Sequence, residues 1–235
     1  MNNFYIFLVG CCEIPSFFFS TNSNIFVPNN RTQEFLTNLR TTLASLADLP
    51  IPTVSSIASV ALGGGLELAL ATHFRVLAST AVVGLPETRL GIIPGAGGTY
   101  RLPALIGVRR ARDLILTGRR VDAAEAYFLG IADRLVEVPG QEADADEGID
   151  IRGEGAEGGK GRMTRARELA MGESVRLARE ICEGGPVAVR AALRALRWTR
   201  EEMENKMYEV VVGTDDRHEA LAAFAQKRRP AFKGR

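Results

Sequence analysis

ALGGGLELAL, residues 61–70, places three consecutive glycines directly before an apolar run that carries one acid, Glu67. Glycine inside a helix costs about 1 kcal/mol relative to alanine, so three in a row indicate a local requirement. Two requirements fit the pattern: a tight turn, or a place where a ligand approaches bare backbone N–H groups. The residues after the glycines predict a short helix over about 66–72.

Length and composition indicate a globular protein with one good core, or with one core and a small appendage. The chain has 235 residues, of which 46% are hydrophobic, and a net charge of +1. Near-neutrality gives no support for a nucleic-acid or membrane-surface partner. The three cysteines cannot all pair with one another, which favours a reduced intracellular setting.

The first thirty residues form an atypical apolar leader. In MNNFYIFLVGCCEIPSFFFS, Glu13 and Pro15 interrupt the apolar residues, so the span of about 20 residues that a membrane helix needs is not present. No basic residue precedes the apolar part, which argues against a secretory signal, and the lack of arginine argues against a mitochondrial transit peptide.

Hydrophobic periodicity predicts alternating helices and strands up to residue 138 and helices alone after residue 162. Between them, PGQEADADEGIDIRGEGAEGGKGR is acidic and rich in glycine, and we expect a disordered or loosely held loop. We therefore divide the chain into a leader (1–30), a core (31–138), an insert (139–162) and a helical region (163–235). The predicted helices cover 30–48, 109–118, 122–130, 163–183, 186–212 and 214–228, with one more from about residue 97, and the predicted strands cover 53–61, 74–78, 81–84 and 131–138.

Two acids stand out by their context. Glu67 lies at the start of an apolar helix, where burying an unpaired carboxylate is unfavourable, and Glu87 follows Leu-Pro before a loop rich in glycine and proline. Two carboxyl groups in apolar surroundings can take different pKa values, so that one donates a proton while the other accepts one. The alternative is structural: Glu67 interacts with the helix N-terminus and Glu87 caps the following turn.

The glycines suit an oxyanion hole, because N–H groups at a helix start can stabilise negative charge that develops on a carbonyl oxygen. They match neither a phosphate-binding Walker loop nor the dinucleotide pattern GxGxxG. His73 and His218 are 145 positions apart, and no carboxylate or cysteine stands at metal-ligand spacing, so no metal site is predicted.

Three segments together form a specific pattern. The first is ALGGGLELALATHFRV; LPETRLGIIPGAGGTYRLPALIG follows, with Glu87 twenty positions after Glu67. The third is DRHEALAAFAQKRRPAFKG. These segments resemble the crotonase (enoyl-CoA hydratase/isomerase) superfamily, nearest its methylglutaconyl-CoA hydratase branch, and the third is similar to the C-terminal helix of that family. The resemblance covers about residues 31–138 and 163–235.

The resemblance implies an α/β fold, a spiral of ββα units with a C-terminal helical trimerisation region, and the hydration of an acyl-CoA thioester. Glu67 and Glu87 would be the catalytic acids, one activating water and the other handling the proton at the α-carbon. Gly64 would supply one oxyanion N–H, and the N–H of Gly95 would help to hold the water. Having both acids favours a hydratase over the isomerase branch, which usually keeps one.

The resemblance also implies partners. Phe224 and Lys227 match positions that help bind the CoA of a neighbouring subunit, and the helical tail implies a homotrimer or a pair of trimers. Packing for the first residue and a solvated charge for the second are the alternatives. The expected substrate is a short or branched 2-enoyl-CoA thioester, with no metal or redox cofactor, since CoA is part of the substrate.

The chain departs from the family pattern in its leader. The family's second oxyanion N–H comes from a segment resembling Ala-Gly-Ala-Asp-Leu, which residues 1–30 lack, and the same resemblance predicts that the first core strands are incomplete. Three explanations stay open: a truncated or misassembled product, a variant with an altered or inactive site that acts only in assembly or binding, or a leader that supplies a substitute strand, FYIFLVG.

Two further expectations concern nucleic acid and compartment. One member of the nearest branch is known for RNA binding through a lysine-rich helix that matches residues 31–48, but here that helix carries Arg31 and Arg40 and no lysine. Nucleic acid is therefore not an expected partner. Relatives of this branch are often mitochondrial, so we expect a mitochondrial protein by resemblance, and otherwise a cytoplasmic one.

Overall fold

The computed structural model describes residues 7–11, 29–139, 157–198 and 201–235, and in these the protein is a mixed α/β structure. The strands are β1 (Phe7–Cys11), β2 (Thr53–Ile57), β3 (Val60–Leu62), β4 (Phe74–Ala78), β5 (Val82–Gly84), β6 (Arg120–Asp122) and β7 (Arg134–Val136). The helices are α1 (Asn29–Ala47), α2 (Gly64–Leu70), a 3-10 helix (Pro86–Leu90), α3 (Gly98–Ile106), α4 (Val108–Thr117), α5 (Ala123–Leu129), α6 (Glu157–Cys182), α7 (Pro186–Trp198), α8 (Glu201–Val212) and α9 (Asp215–Ala225).

The strands form two sheets, and the chain alternates between them from β2 to β5. The first sheet has the order β1-β2-β4-β7 and the second has the order β3-β5-β6. β2 with β4, β4 with β7 and β3 with β5 are parallel pairs, whereas β5 and β6 are antiparallel. Each strand pair is followed by a helix, α2 after β2 and β3, and the 3-10 helix with α3 after β4 and β5. This winding is the ββα spiral that the sequence resemblance implies.

The predicted single strand over residues 53–61 is in fact two strands, because the chain leaves one sheet for the other. β2 ends at Ile57, and β3 begins at Val60 in the second sheet. At the break, the carbonyl oxygen of Ser59 accepts a bond from the N–H of Val82 at 3.2 Å. A hydrogen bond between residues far apart in the chain does not change the apolar pattern of residues 53–61, so that pattern could not indicate the break.

Several other boundaries differ from the predicted ones. α2 begins at Gly64, two residues earlier than predicted, and the predicted helix over 186–212 is divided into α7 and α8. β6 was not predicted, since three residues are too few to show alternation. α6 begins at Glu157, so its first turns include the last six residues of the predicted insert; residues 140–156 of that insert lie outside the described part.

The leader supplies a strand, which is one of the three explanations for its departure from the family pattern. β1 overlaps the predicted segment FYIFLVG and lies beside β2 at the edge of the first sheet. The other leader residues, 1–6 and 12–28, lie outside the described part of the chain, and so does most of the stretch where the second oxyanion segment would fall.

The larger unit of the structure comprises Leu8–Ala47 and Val54–Ser174. Its core is formed by side chains from both sheets and from the helices that follow them, each contributing about 1.5–3 kcal/mol when fully buried. The largest of these side chains are Ile57, Leu66, Leu77, Val83, Leu85, Leu102, Leu114 and Ile131.

A buried arginine joins β4 to the segment before β7 within this unit. The guanidinium of Arg75, 3% exposed, donates to the carbonyl oxygens of Ile131 (2.7 Å), Thr72 (2.8 Å) and His73 (3.2 Å) and to the Asp133 carboxylate (2.8 Å). Burial lowers the pKa of Arg75 from its ordinary value, and Asp133 opposes that shift. Satisfied hydrogen bonds make such a charge tolerable in a core.

The smaller unit contains Asp48–Thr53 and Val175–Arg235. Its C-terminal residues are held by hydrogen bonds to a buried acid. Asp216, at the start of α9, accepts backbone bonds from Lys233 at 2.5 Å and from Gly234 at 2.8 Å. Its own N–H donates to the carbonyl oxygen of Arg235 at 3.1 Å. In the parts of the chain described above, no helix is long and apolar enough to cross a membrane.

Candidate active site

The first of the three glycines turns the chain from β3 into α2. Gly63 is the N-cap of α2 and has φ 55° and ψ −124°, a backbone conformation that side chains rarely adopt. A Cβ placed on Gly63 would also lie 3.2 Å from Oε1 of Glu87. Its N–H donates to the carbonyl oxygen of Gly84 at 2.9 Å, which fixes the turn to β5. Glycine is therefore required at this position both for the turn and for the approach of a carboxyl group.

The first turn of α2 carries Glu67, whose side chain is buried at 3% exposure. Its Oε1 accepts two backbone hydrogen bonds, from the N–H of Ala96 and from the N–H of Gly98, both at 2.8 Å. These two donors compensate for the loss of water around the carboxyl group, because a buried polar group is tolerated when it is hydrogen-bonded. Because Gly98 is the first residue of α3, Glu67 interacts with the N-terminus of that helix as well as lying in the first turn of its own, so the structural alternative also accounts for this contact.

The second acid, Glu87, lies in the 3-10 helix and is 7% exposed. Its Oε2 is buried and has no hydrogen-bond partner among the described residues. Burial raises the pKa of Glu87 above its ordinary value of 4.5; a backbone hydrogen bond opposes this, and the charge of Glu67 raises it further. The two carboxyl groups are thus within electrostatic range of each other but in different surroundings.

The loop Pro94–Gly98 presents its N–H groups to Glu67 because its glycines leave room. A Cβ on Gly98 would lie 2.8 Å from Cδ1 of Leu85, 2.9 Å from Cβ of Pro94 and 3.1 Å from Oε1 of Glu67. Gly97 has φ 116° and precedes the first residue of α3. This geometry disfavours larger residues at 98 and brings the N–H groups of Ala96 and Gly98 to one carboxylate oxygen.

Two arginine side chains each donate a hydrogen bond to this loop, at the carbonyl oxygens of two consecutive residues. Nε of Arg40, on α1, donates to the carbonyl oxygen of Gly95 at 2.6 Å, and Nη1 of Arg101, on α3, donates to that of Ala96 at 2.8 Å. The sequence patterns indicate neither of these arginine contacts, and they do not indicate that the N–H groups of Ala96 and Gly98 bind Glu67. The Arg40 contact joins residues 55 positions apart, so no local pattern could have indicated it.

The predicted backbone groups lie in the same unit as the two acids. Gly64 is the first residue of α2, and nothing from the described part of the chain lies within 4 Å of the position of a Cβ there. The first N–H groups of a helix have no intrahelical acceptor, so a ligand oxygen can use them. Gly95 lies in the loop that binds Glu67, and a Cβ on it would lie 3.2 Å from Cδ2 of Leu36.

Phe224 and Lys227 belong to the smaller unit, so they are described apart from the acids. Phe224 lies near the end of α9, and its side chain is 85% exposed. Lys227 is exposed, has φ 53° just beyond the helix, and donates its N–H to the carbonyl oxygen of Phe224 at 3.1 Å. The side chain of Phe224 is therefore not packed against the described residues of its own chain, and the CoA-binding roles of both residues stay predictions.

Chemically, the larger unit offers one carboxyl group held by two N–H donors and a second that burial favours in its protonated form. Such a pair can accept one proton and donate another in a single reaction. Within the described residues, no three His, Cys, Asp or Glu side chains lie together in a way that could hold a metal ion.

Comparison with known proteins agrees with the fold and the family that the sequence resemblance implies. The family described as enoyl-CoA hydratase/isomerase matches residues 22–143, so the match begins inside the predicted leader. A 1.8 Å crystal structure of an enoyl-CoA hydratase from Bacillus anthracis superposes with a TM-score of 0.74 at 37% identity, covering 89% of this chain and 73% of that one.

Curated relatives share long stretches of sequence with the chain. Methylglutaconyl-CoA hydratase 1, a mitochondrial protein of Pyricularia oryzae, is 64% identical over 204 residues, which are 87% of this chain and 57% of that protein. YngF of Bacillus subtilis is 40% identical over 217 residues, 89% of this chain and 72% of that protein. The chain thus spans less than two thirds of the Pyricularia relative. It belongs to the enoyl-CoA hydratase/isomerase family.

Proposed function

We propose that this chain is a hydratase that adds water across the 2,3 double bond of a 2-enoyl-CoA thioester. The observation that carries the proposal is the contrast between its two buried acids. Glu67 accepts N–H bonds from Ala96 and Gly98, whereas Oε2 of Glu87 has no hydrogen-bond partner in the described part of the chain, and burial raises the pKa of Glu87. The first arrangement suits a proton acceptor and the second a proton donor.

The proposed reaction balances with these two groups. Glu67 removes a proton from water as the water oxygen bonds to C3 of the thioester, and the electrons of the double bond move to the carbonyl oxygen. The N–H of Gly64 stabilises the resulting enolate, and Gly95 helps to hold the water. Glu87 then gives its proton to C2, which regenerates the thioester carbonyl. Glu67 ends protonated and Glu87 ionised, so one proton returns between them before the next turnover.

Isotope incorporation tests this reaction against isomerisation. The chain is incubated with crotonyl-CoA in H₂¹⁸O, and the product is analysed by mass spectrometry. A hydratase places one ¹⁸O atom at C3, whereas an isomerase moves a double bond without taking oxygen from water. Binding of crotonyl-CoA without turnover would instead favour the alternative of a subunit that acts only in assembly or binding.

Methylglutaconyl-CoA is the specific substrate that we propose for this site. It is supported by the name of the Pyricularia relative, which shares 64% of the matched residues. If this assignment is right, kcat/KM for 3-methylglutaconyl-CoA should exceed that for crotonyl-CoA, and the expected role is in leucine degradation. A higher kcat/KM for crotonyl-CoA would favour general fatty acid metabolism. A mitochondrial location is proposed on the same relative's name, and fractionation of cells that express the chain would test it.

We also propose that copies of the chain associate as a homotrimer or as a pair of trimers. The exposed Phe224 and the neighbouring Lys227 support this, because they match positions that contact the CoA of a neighbouring subunit in the family. Sedimentation gives the number of subunits. Phe224→Ala should raise KM for the CoA thioester more than it lowers kcat, since it removes a binding contact and no reacting group.

A further inference from the structure

We propose that Arg40 is a positioning residue for Glu67 and that it acts through the one peptide group that joins Gly95 to Ala96. Nε of Arg40 donates to the carbonyl oxygen of Gly95 at 2.6 Å, and the N–H of Ala96 donates to Oε1 of Glu67 at 2.8 Å. The two bonds are made by opposite edges of the same planar amide. This role rests on the proposed function, since it gives Arg40 a part in the chemistry of Glu67.

Planarity transmits the effect of Arg40 in two ways. Because the C=O and N–H of one peptide group point in opposite directions, holding the oxygen of Gly95 also fixes the direction of the N–H of Ala96. A positive donor on the oxygen also polarises the amide and strengthens its N–H as a donor, since hydrogen bonds in a chain reinforce one another. Arg40 therefore both aims and strengthens one of the two bonds that hold Glu67.

The packing of α1 brings Arg40 to this oxygen although its side chain is exposed. Leu36 lies one helical turn before Arg40, and its Cδ2 lies 3.2 Å from the position of a Cβ on Gly95. Leu43, three residues after Arg40, packs in a buried cluster with Ala96. The apolar contacts on either side of Arg40 thus anchor α1 to the loop, and the guanidinium makes its bond between them.

Arg101 differs from Arg40 in the peptide that it contacts. Its Nη1 binds the carbonyl oxygen of Ala96, and that oxygen belongs to the peptide joining Ala96 to Gly97. The N–H groups that hold Glu67 come from Ala96 and Gly98, so Arg101 restrains the loop without contacting either donor's own amide. Of the two arginines, Arg40 alone is coupled to Glu67 through a single amide.

The test measures kcat and KM for crotonyl-CoA in Arg40→Met, Arg40→Lys and the control Arg112→Met, which removes an exposed arginine of α4. We expect Arg40→Met to lower kcat about tenfold, the loss typical of one charge-assisted hydrogen bond, with KM changed less than about twofold. Lysine also donates to a carbonyl oxygen, so Arg40→Lys should recover part of the loss. Arg112→Met should behave as the unchanged protein.

A double-mutant cycle separates positioning from general damage. If Arg40 acts through Glu67, Arg40→Met should have almost no further effect on kcat in the Glu67→Gln background. A loss of the same size in both backgrounds would overturn the coupling. Equal kcat for Arg40→Met and the unchanged protein, when the latter is an active hydratase, would overturn the inference while leaving the proposed function standing.

Amide hydrogen exchange tests the contact independently of turnover. Arg40→Met should speed exchange of the Ala96 amide by about tenfold, because that N–H loses its aim toward Glu67, while the amide of Val76 in β4 should not change. If the unchanged protein hydrates no enoyl-CoA, the proposed function fails, but hydrogen exchange still tests whether Arg40 orients the Ala96 N–H. Faster exchange of the Ala96 amide in Arg40→Met supports that coupling, and unchanged exchange overturns it.

Discussion

Gly63 and Glu87 approach each other so closely that a Cβ on Gly63 would lie 3.2 Å from Oε1 of Glu87, and the carboxyl group would have to move by a few tenths of an ångström to accommodate it. Gly63 also has φ 55° with ψ −124°, a sparsely populated conformation that costs an L-residue about 1–3 kcal/mol. The same glycine therefore makes the turn that begins α2 and leaves room for the carboxyl group of Glu87.

Gly63→Ala should lower both stability and activity. We expect a loss of about 1–3 kcal/mol in the free energy of unfolding from the backbone conformation alone, and a fall in kcat of about tenfold or more as Glu87 is displaced. Urea denaturation and crotonyl-CoA hydration measure the two effects. The control is Gly65→Ala, where no atom of the described chain lies within 4 Å; it should stabilise α2 by up to about 1 kcal/mol. Unchanged behaviour of Gly63→Ala would contradict the steric account.

Gly64→Ala separates ligand approach from folding. A Cβ on Gly64 meets nothing from the described residues within 4 Å, so stability should be unchanged or slightly higher. If the thioester oxygen must reach the N–H of Gly64, the new methyl group should keep it away and lower kcat by about 10²–10³-fold, as losing an oxyanion donor does. Full activity in Gly64→Ala would rule out this N–H as the oxyanion donor.

Glu67→Gln and Glu87→Gln should each lower kcat by about 10²–10⁴-fold, because each removes one proton-transfer group while preserving the shape of the side chain. Loss of enoyl absorbance from crotonyl-CoA measures the rate, and a thermal unfolding curve checks that each variant folds. Glu137→Gln, an exposed glutamate of the same unit, is the matched control and should keep full activity. A substantial rate in either site variant would remove that residue from the mechanism.

The raised pKa of Glu87 predicts how stability changes with pH. Since the folded protein holds this proton more tightly than the unfolded chain, the contribution of Glu87 is fully present below pH 4.5 and is lost as pH rises through the raised pKa. Thermal unfolding at a series of pH values above 4.5, with Glu87→Gln as reference, should show stability falling relative to the variant. The hydration rate should fall over the same range as Glu87 loses its proton. Parallel stability curves for the two proteins would contradict the prediction.

Arg75→Met should destabilise the larger unit without a direct effect on chemistry. It leaves the carbonyl oxygens of Ile131 and Thr72 without their arginine donor and removes the ion-pair partner of Asp133, which keeps its bond from the backbone N–H of residue 75. We expect a loss of about 2–4 kcal/mol, toward the lower end of the range for buried pairs because the Asp133 side chain is 34% exposed. Urea denaturation gives the value, and Arg112→Met should stay within about 0.5 kcal/mol of the unchanged protein. A loss as small as that of the control would show that Arg75 is replaceable.

Local sequence patterns predict much of the fold. The apolar spacing of residues 30–48 predicts α1 (Asn29–Ala47), and Phe74–Ala78 is found as the predicted strand β4. The glycines at 118 and 130 end α4 and α5 in the left-handed conformation, as their positions predict. These features depend on backbone preferences and side-chain periodicity within a few residues, so neighbouring residues suffice to predict them.

The two acids stand out by their sequence context, and the family resemblance adds the prediction that they are catalytic. The spacing of Glu67 and Glu87 in two family motifs marked them, whereas their residue types left a structural alternative open. Nothing in the local sequence distinguishes the surroundings of the two carboxyl groups. The N–H donors that bind Glu67 come from residues 29 and 31 positions later, and they were not predicted.

The sequence by itself determined the approximate bounds of most helices, most of the segments that contain the core strands, and the two acids proposed for the candidate site. Only the tertiary structure decided that residues 53–61 divide between two sheets, that Arg40 reaches Gly95, and that the two acids differ in their hydrogen-bond partners. The physical reason is the range of the interactions. Dihedral preferences and periodicity act between neighbours, whereas these contacts form only when packing brings together segments that are far apart in the chain.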